Sequence, residues 1–307
     1  MKTTMMLMIT ILVLGITAPA MCNWELMFGK EASQLGFVNP PPGPEDPPLG
    51  PASFRLVEGN IWVLDSVKGQ VLCFNPENKL TANVKIPGLP KQFYLDDFAI
   101  QLKDGKPVSI WVAERFSNEI IKVSMNGKEL ARTKTGQAQL DQLEVDSTGQ
   151  LYVGDFGKSE LAVYSSEGKK LRKMPWQLSG FAVDASDNLH MINFNDGTGH
   201  QHVILSPDGK ELSRTEIGFA NMQNPRLWHV TANNDILVSF IPESGDPTKN
   251  ILVKISAKGL IEKKLGFTNP YYINRYLLLD DKSCWLANAD YLKAPEQTIK
   301  ISRLGEL

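Results

Sequence analysis

Cysteine is scarce: Cys22, Cys73 and Cys284 are the three in 307 residues, too few for a disulfide scaffold. Charge of one sign is lacking too. Basic and acidic side chains number 32 and 34, so no basic surplus exists to hold a nucleic-acid backbone. Charged residues at 21% and hydrophobic ones at 42% exclude wholesale disorder. After the first twenty residues no apolar run reaches the length of a membrane span, and no stretch of ten residues keeps a helical period. The sequence also has no G-x-S-x-G elbow, no H-E-x-x-H pair and no Gly-rich phosphate loop. Helical solenoids and the commonest hydrolase and nucleotide-binding designs are thereby set aside.

The chain opens on a short basic start at Lys2, an apolar run over residues 5–16 and the small-residue end Ala18-Pro19-Ala20. This is the pattern of a secretory signal peptide over residues 1–20, with cleavage after Ala20 and a cut after Cys22 as the alternative. A lipid anchor on Cys22 is disfavoured, because Pro19 and Met21 stand where a lipobox needs a leucine and a small residue. The expected location is secreted or periplasmic, with no transmembrane segment. Cys73 and Cys284 fall in predicted strands, where buried free thiols are expected over a bridge.

One phrase recurs along the mature chain: strand, Gly turn, strand, loop, strand, Gly turn, strand. Its best copy starts at Leu143-Glu144-Val145-Asp146-Ser147-Thr148-Gly149-Gln150-Leu151-Tyr152-Val153-Gly154-Asp155. Six copies begin near residues 61, 110, 151, 189, 236 and 284, at spacings of 38 to 49 residues. Four strands at this period make a propeller blade, and six copies predict an all-β six-bladed β-propeller of antiparallel strands over residues 24–307. Fourth strands are expected at 80–86, 129–135, 170–176, 211–217 and 260–266. The sixth copy ends on its third strand, 298–301, and the orphan strand at Trp24-Glu25-Leu26-Met27-Phe28-Gly29 is placed as its missing outer strand, closing the ring without an open edge.

The stretch Gly50-Pro51-Ala52-Ser53-Phe54-Arg55-Leu56-Val57-Glu58-Gly59-Asn60-Ile61-Trp62-Val63-Leu64-Asp65 resembles an NHL repeat, the motif of six-bladed propellers that runs Gly-Pro, apolar strand, Gly-Asn and a strand ending in Asp. Copies one to three carry the resemblance; the later ones replace the strand-end Asp with Asn193, Ser239 or Phe240, and Asn288. More distantly the chain is similar to propellers of the gluconolactonase and strictosidine-synthase type. The resemblance implies architecture more than activity, because such propellers include lactonases, lyases, synthases and binding modules. Gluconolactonase-type enzymes use a Glu, Asn and Asp set around a channel Ca²⁺. The motif bearing their first Glu has no match here, where Ser53-Phe54-Arg55 stands, and the reading therefore leans away from an enzyme.

In such a blade the connections from strand two to strand three and from strand four to strand one share one rim, the default ligand face. The former lengthen at 194–202, 241–250 and 289–297. The proline-rich connector at 39–51 reads as a stiff surface segment. Inner-strand starts bring Asp96, Asp97, Asp141, Arg226, Tyr271, Tyr272, Asn274 and Arg275 toward the channel. Of these Arg226, Arg275, Tyr272, Asn274, Asp97 and Asp141 are the candidate ligand-binding residues, the arginines either holding an anion or neutralising a crowded channel. Glu114, Asp155, Asn193 and Asn288, with Asp65, end second strands. As a ring of oxygens they are candidate ligands for Ca²⁺, and as recurrent strand-end residues they cap the following turn, the reading that repetition favours. His190, His200, His202 and His229 read as surface and packing residues rather than a zinc set. The expectation is an exported, non-catalytic binding module for a protein, peptide or glycan, needing no cofactor; a metal-dependent hydrolase or lyase is the alternative.

Overall fold

The computed structural model describes residues 24–38, 48–136, 139–195, 199–218, 222–242, 249–270, 273–280, 282–289, 291 and 298–306. Residues 1–23, which include the expected signal segment, residues 39–47 of the proline-rich connector, Tyr271 and Tyr272, and most of the expected loops at 241–250 and 289–297 lie outside the described residues. Among the described residues no helix is long and apolar enough to cross a membrane.

Each repeat folds as a four-stranded antiparallel sheet in sequential order, innermost strand first. Blade 1 holds β2 (Ser53–Val57), β3 (Asn60–Asp65), β4 (Gln70–Phe74) and β5 (Leu80–Lys85). Blade 2 holds β6 (Leu95–Lys103), β7 (Lys106–Glu114), β8 (Glu119–Ser124) and β9 (Glu129–Lys134). In blade 3 come β10 (Leu140–Val145), β11 (Leu151–Asp155), β12 (Glu160–Tyr164) and β13 (Lys170–Pro175). Blade 4 has β14 (Phe181–Val183), β15 (Leu189–Asn195), β16 (Gly199–Leu205) and β17 (Glu211–Ile217). Blade 5 has β18 (Gln223–Val230), β19 (Ile236–Ile241), β20 (Lys249–Ile255) and β21 (Ile261–Thr268). In blade 6 β22 (Leu277–Leu279), β23 (Ser283–Asn288) and β24 (Thr298–Glu306) are completed by β1 (Trp24–Met27), which pairs antiparallel with β24 from Trp24↔Ile301 to Met27↔Thr298.

Burial follows position in the blade. In blades 1 and 3 the second and third strands are covered on both faces and largely apolar, as in β3 and β4, whereas β24 in blade 6 alternates buried with exposed residues. Fourth strands such as β13 alternate between exposed and half-buried, and their lysines and glutamates discourage a further strand from adding to the edge. Cys73 and Cys284 are both buried and unbridged.

The clasp is set by packing as well as by the ladder. Trp24 is buried against Trp285, edge to face with ring centres 6.0 Å apart, and its indole N–H donates to the Asn75 carbonyl of blade 1 at 3.0 Å. The chain then runs over blade 1, where Lys68 donates to the carbonyls of Glu31 and Gln34 at 2.8 Å and Gly36 N–H donates to Asp65. One segment thus ties the last blade to the first. Trp24→Ala removes an aromatic side chain and a buried hydrogen bond from that seam and is expected to cost about 3–5 kcal/mol. Urea denaturation of the variant against the wild type measures it.

Candidate ligand-binding face and central channel

The inner strands place charge on the axis. Arg55, in the middle of β2, reaches across to blades 2 and 3. Its Nη1 donates to Glu144 Oε2 at 3.1 Å, its Nη2 to Asp97 Oδ2 at 3.4 Å, and its Nε and Nη2 also donate to the carbonyls of Phe98 and Leu143. Arg275 meets the same two carboxylates from blade 6, donating through Nη2 to Glu144 Oε1, with Nε 3.9 Å from Asp97 Oδ1. Asp97 is fully buried and further accepts from Ser53 Oγ at 2.5 Å and Leu143 N–H at 2.9 Å. Two cations and two anions therefore balance one another inside the ring. Burial and the neighbouring Arg275 pull the Arg55 guanidinium below its ordinary value; for Arg275, Glu144 and Asp97 outweigh burial and push it up. Beyond this cluster, away from the loop-bearing rim, lies a cavity of roughly 170 Å³ walled by Phe54, Glu144, Trp228 and Leu278.

Toward the rim a second polar layer is also paired within itself. Arg115 grips Asp96 with both ends of its guanidinium, at 2.9 and 2.5 Å, and lies over the Tyr94 ring at 4.6 Å. Asn274 spans the opening: its Nδ2 donates to the carbonyls of Asp96 and Asp141 at 3.2 and 2.6 Å. The Asn274 backbone and side-chain oxygens accept from Arg226 at 3.1 and 3.0 Å. Arg226 also stacks on Trp228 at 4.5 Å and sits 3.8 Å from Asp141. Burial pushes the Asp96 carboxyl up to about 7, with Arg115 opposing.

Neighbouring blades approach closely enough here for their backbones to bond. Leu227 N–H donates to Ser179 carbonyl at 2.6 Å, and Gly180, at φ +71°, leaves no space for a side chain: a Cβ there would sit 2.5 Å from the Leu227 oxygen. On the other side of the ring Phe54 N–H donates to the Arg275 carbonyl at 2.9 Å.

The structure thus brings together Asp97, Asp141, Arg226, Asn274 and Arg275, in the neutralising arrangement rather than around an open anion site. The sequence reading missed three partners. Arg55 was legible as the lone charge of its inner strand, SFRLV; Glu144 shares LDQLEV with Asp141 and Gln142 and so did not stand out, and Arg115 carried no signal.

The strand-end acids serve the turns next to them. Glu114 is fully buried and accepts from Tyr94 N–H at 2.9 Å, Phe116 N–H at 3.1 Å, and Ser117 N–H and hydroxyl at 2.6 and 2.5 Å. Asp65 accepts from Gly36 and Lys68 N–H and from the Gln70 amide, and Asp155 accepts from Gln139 and Gly157 N–H. Asn193 is half-buried and pairs with Gln201, whereas Asn288 is exposed and pairs with Lys300. Among the described residues no group of three His, Cys, Asp or Glu side chains is placed to hold a metal ion. His190 lies between Asp184 and His202, at 3.1 and 2.9 Å, inside blade 4; burial and the neighbouring His190 lower His202 to about 3.

One expected loop is instead a ladder. Over the stretch 194–202 the described residues continue the β15–β16 ladder through Phe194↔His200 and Asn195↔Gly199, and residues 196–198 lie outside the described residues. Beside it the rim carries exposed aromatic side chains. Among the described residues, Phe116, Phe156 and Phe194 are 62%, 53% and 53% exposed, each one or two residues past the strand-end position of blades 2, 3 and 4. An off-axis cleft of roughly 520 Å³ opens between blades 3, 4 and 5.

No family model matches the chain, and no curated protein matches it in sequence. Solved structures do match in fold. A streptogramin B lyase aligns at 12% identity over 92% of this chain and 97% of its own, with a TM-score of 0.53. Virginiamycin B lyase from Staphylococcus aureus gives 12%, 91%, 98% and 0.54, and the Malassezia sympodialis allergen Mala s 1 gives 12%, 82%, 92% and 0.56. At such identities the likeness is one of fold: the chain is a six-bladed β-propeller.

Two outcomes test the axis. Asp97→Ala leaves the buried Arg55 and Arg275 to share Glu144 alone, one positive charge in excess, and is expected to cost about 3–5 kcal/mol in chemical denaturation. For Asp96, the unfolded carboxyl ionises near 3.8 and the folded one near 7, so the unfolded chain gives up its proton first as pH rises. Its contribution to stability falls across that window. The melting temperature of the wild type relative to Asp96→Asn is accordingly expected to decline from pH 4 to pH 7 and level off above, read by calorimetry in parallel titrations.

Proposed function

We propose that this propeller is a non-catalytic binding module that holds a peptide or an extended protein segment on its loop-bearing rim. The observation that carries the reading is the run of exposed phenylalanines, Phe116, Phe156 and Phe194, across three successive blades. Exposed aromatic side chains grouped on one face favour a partner that covers them. A peptide fits better than a glycan. Glycan hydroxyls need polar partners with unmade bonds, and the mouth of the channel spends Asp96 on Arg115 and Arg226 on Asn274. Phenylalanine supplies apolar area alone.

A cation-centred hydrolase or lyase is supported less well, since Glu114 and Asp155 already accept backbone N–H bonds that a metal would have to displace. The leader at residues 1–20 favours export, so the partner belongs outside the cytoplasm.

Panning a random peptide library over the immobilised protein tests the proposal. The expected result is a set of peptides rich in apolar residues. By titration calorimetry these should lose at least tenfold in affinity on the triple variant Phe116→Ala, Phe156→Ala, Phe194→Ala at unchanged melting temperature. Equal affinity for the triple variant would overturn the rim. Stoichiometric Ca²⁺ in the purified protein, with melting lowered by a chelator, would favour the metal reading instead.

A further inference from the structure

Charge is distributed unevenly on the loop-bearing rim. Six consecutive connections of that rim, residues 66–69, 86–94, 115–118, 135–139, 156–159 and 176–180, contain no aspartate or glutamate. They contain four cations, Lys68, Lys91, Arg115 and Lys158, although acids outnumber bases over the whole chain. The segment that crosses blade 1 adds one charge of each sign, Lys30 and Glu31. On the hairpins of the opposite rim acids return, among them Glu58, Asp104, Asp146 and Glu167. The rim of blades 1 to 3 is therefore basic by position rather than by composition.

The acids close to these connections are turned inward or paired. Asp65, Glu114 and Asp155 are fully buried beneath the rim and accept N–H bonds there. Glu119 and Glu160 open the third strands of blades 2 and 3; the first pairs with Arg132, the second with Lys170 and Lys173. Asp96 and Asp141, at the axis, face Arg115 and Arg226. In these six connections the charge offered to solvent is positive.

Cation and aromatic ring lie side by side along this arc. Arg115 precedes Phe116, its side chain 47% exposed, and Tyr94 serves both: the guanidinium lies over the Tyr94 ring, and the Phe116 ring stands 6.3 Å from it. On blade 3 Phe156 is followed by Lys158, which donates one of its three N–H groups to the Gly136 carbonyl. Lys91 is exposed on the connection between blades 1 and 2 and forms no ion pair among the described residues. Arg115 and Lys158 are thus held in place before a partner arrives, which lowers the entropy lost when a carboxylate meets them. Basic clusters that hold anionic membranes pool about 4–8 Lys or Arg. Cations interleaved with phenylalanines over two blades suit a chain laid across the connections.

We infer that the segment held on this rim is acidic as well as apolar, its Asp or Glu side chains meeting Lys91, Arg115 and Lys158 while its apolar residues cover Phe116 and Phe156. The inference rests on the peptide-binding reading above and adds the partner's charge. In an extended chain alternate side chains share a face, so acid and apolar residues two apart can both be laid on the rim. Charge complementarity of this kind governs on-rate and choice of partner more than total affinity.

The test follows the peptides selected by panning a random library on the whole mature protein. The expected result is enrichment of Asp and Glu and depletion of Lys and Arg against the unselected library. Affinity of the selected peptides is expected to fall at least threefold between about 50 and about 300 mM NaCl. Lys91→Glu together with Lys158→Glu, both on exposed connections, should weaken binding at least tenfold at the lower salt with the melting temperature unchanged. Panning on that double variant should no longer enrich acids. Lys106→Glu, on the opposite rim, changes the net charge alone and should leave binding as it was.

Selected peptides that are apolar without an excess of acids, or whose binding ignores salt and the double variant, would overturn this inference and leave the rim reading in place. A library that yields no peptide would overturn both. Co-sedimentation with phosphatidylserine vesicles but not phosphatidylcholine vesicles, lost in the double variant while acidic peptides fail to bind, would assign the basic arc to a membrane and overturn the inference.

Discussion

The ring depends on an electrostatic balance at its axis. Six inner strands converge on a space too narrow to be filled by backbone alone, and this chain fills it with Arg55, Asp97, Glu144 and Arg275. Each buried charge is expensive by itself, and the group is tolerable because every member meets an opposite charge, Arg55 also donates to two carbonyls, and Asp97 accepts from the Ser53 hydroxyl and Leu143 N–H. The members come from blades 1, 2, 3 and 6, so the balance exists only when the ring is closed. Closure is enforced at the perimeter by β1, whose Trp24 joins the last blade to the first. Axis and clasp are therefore two ends of one constraint.

That constraint decides where recognition has room to occur. A channel holding two interlocked polar layers, Arg55 to Arg275 below and Asp96 to Asn274 above, has its donors and acceptors committed before any ligand arrives. A ligand on the axis would have to replace several charge-assisted bonds at once. Off the axis the rim bears no such commitment: its aromatic side chains are exposed, and the cleft lined by Phe156 and Phe194 is free of charged walls. Selectivity then follows from the side chains set around the rim rather than from net charge, in keeping with a chain whose acids and bases nearly cancel.

Much of the architecture was legible because the repeat is written in residues that local rules govern. Gly149 and Gly168, both at positive φ, mark the hairpins of blade 3, and runs such as Ile61-Trp62-Val63-Leu64 mark strands covered on both faces. The missing fourth strand after residues 298–301 identified β1 as the clasp, and pairing of Trp24 with Ile301 bears this out. The site was less legible because its contacts join residues far apart in sequence. Arg55 and Glu144 are 89 positions apart, and Asn274 meets Asp96 across 178. Composition placed Arg226 and Arg275 near carboxylates, but only the closed ring says which carboxylate each one meets. The cleft drew on residues that have no chemical signature singly: Leu178, Met222 and Pro225 read as ordinary connection residues until three blades set them side by side.

The strand-end acids show how one position can look functional in sequence and be structural in space. Asp65, Glu114 and Asp155 are all fully buried, and in blade 5 the corresponding place is held by Phe240, 1% exposed. In blades 1, 2, 3 and 5 that position is buried whether it holds a carboxylate or a phenyl ring, whereas Asn193 in blade 4 is half-buried and Asn288 in blade 6 is exposed. The carboxylate is tolerated there because backbone N–H groups reach it, from Phe116 and Ser117 of the next turn for Glu114 and from Gln139 and Gly157 for Asp155. Strand alternation then sets the direction of the neighbouring side chain. In blade 3 the acid turns inward and the next residue, Phe156, turns outward, and Phe194 stands outward beside half-buried Asn193; in blade 2 Arg115 intervenes to hold Asp96 and Phe116 takes the exposed place one residue later, while in blade 1 the next residue is the buried Ser66. The same alternation that buries the cap therefore presents the aromatic residue, and the repeat carries its recognition surface one step out of phase with its structural signature.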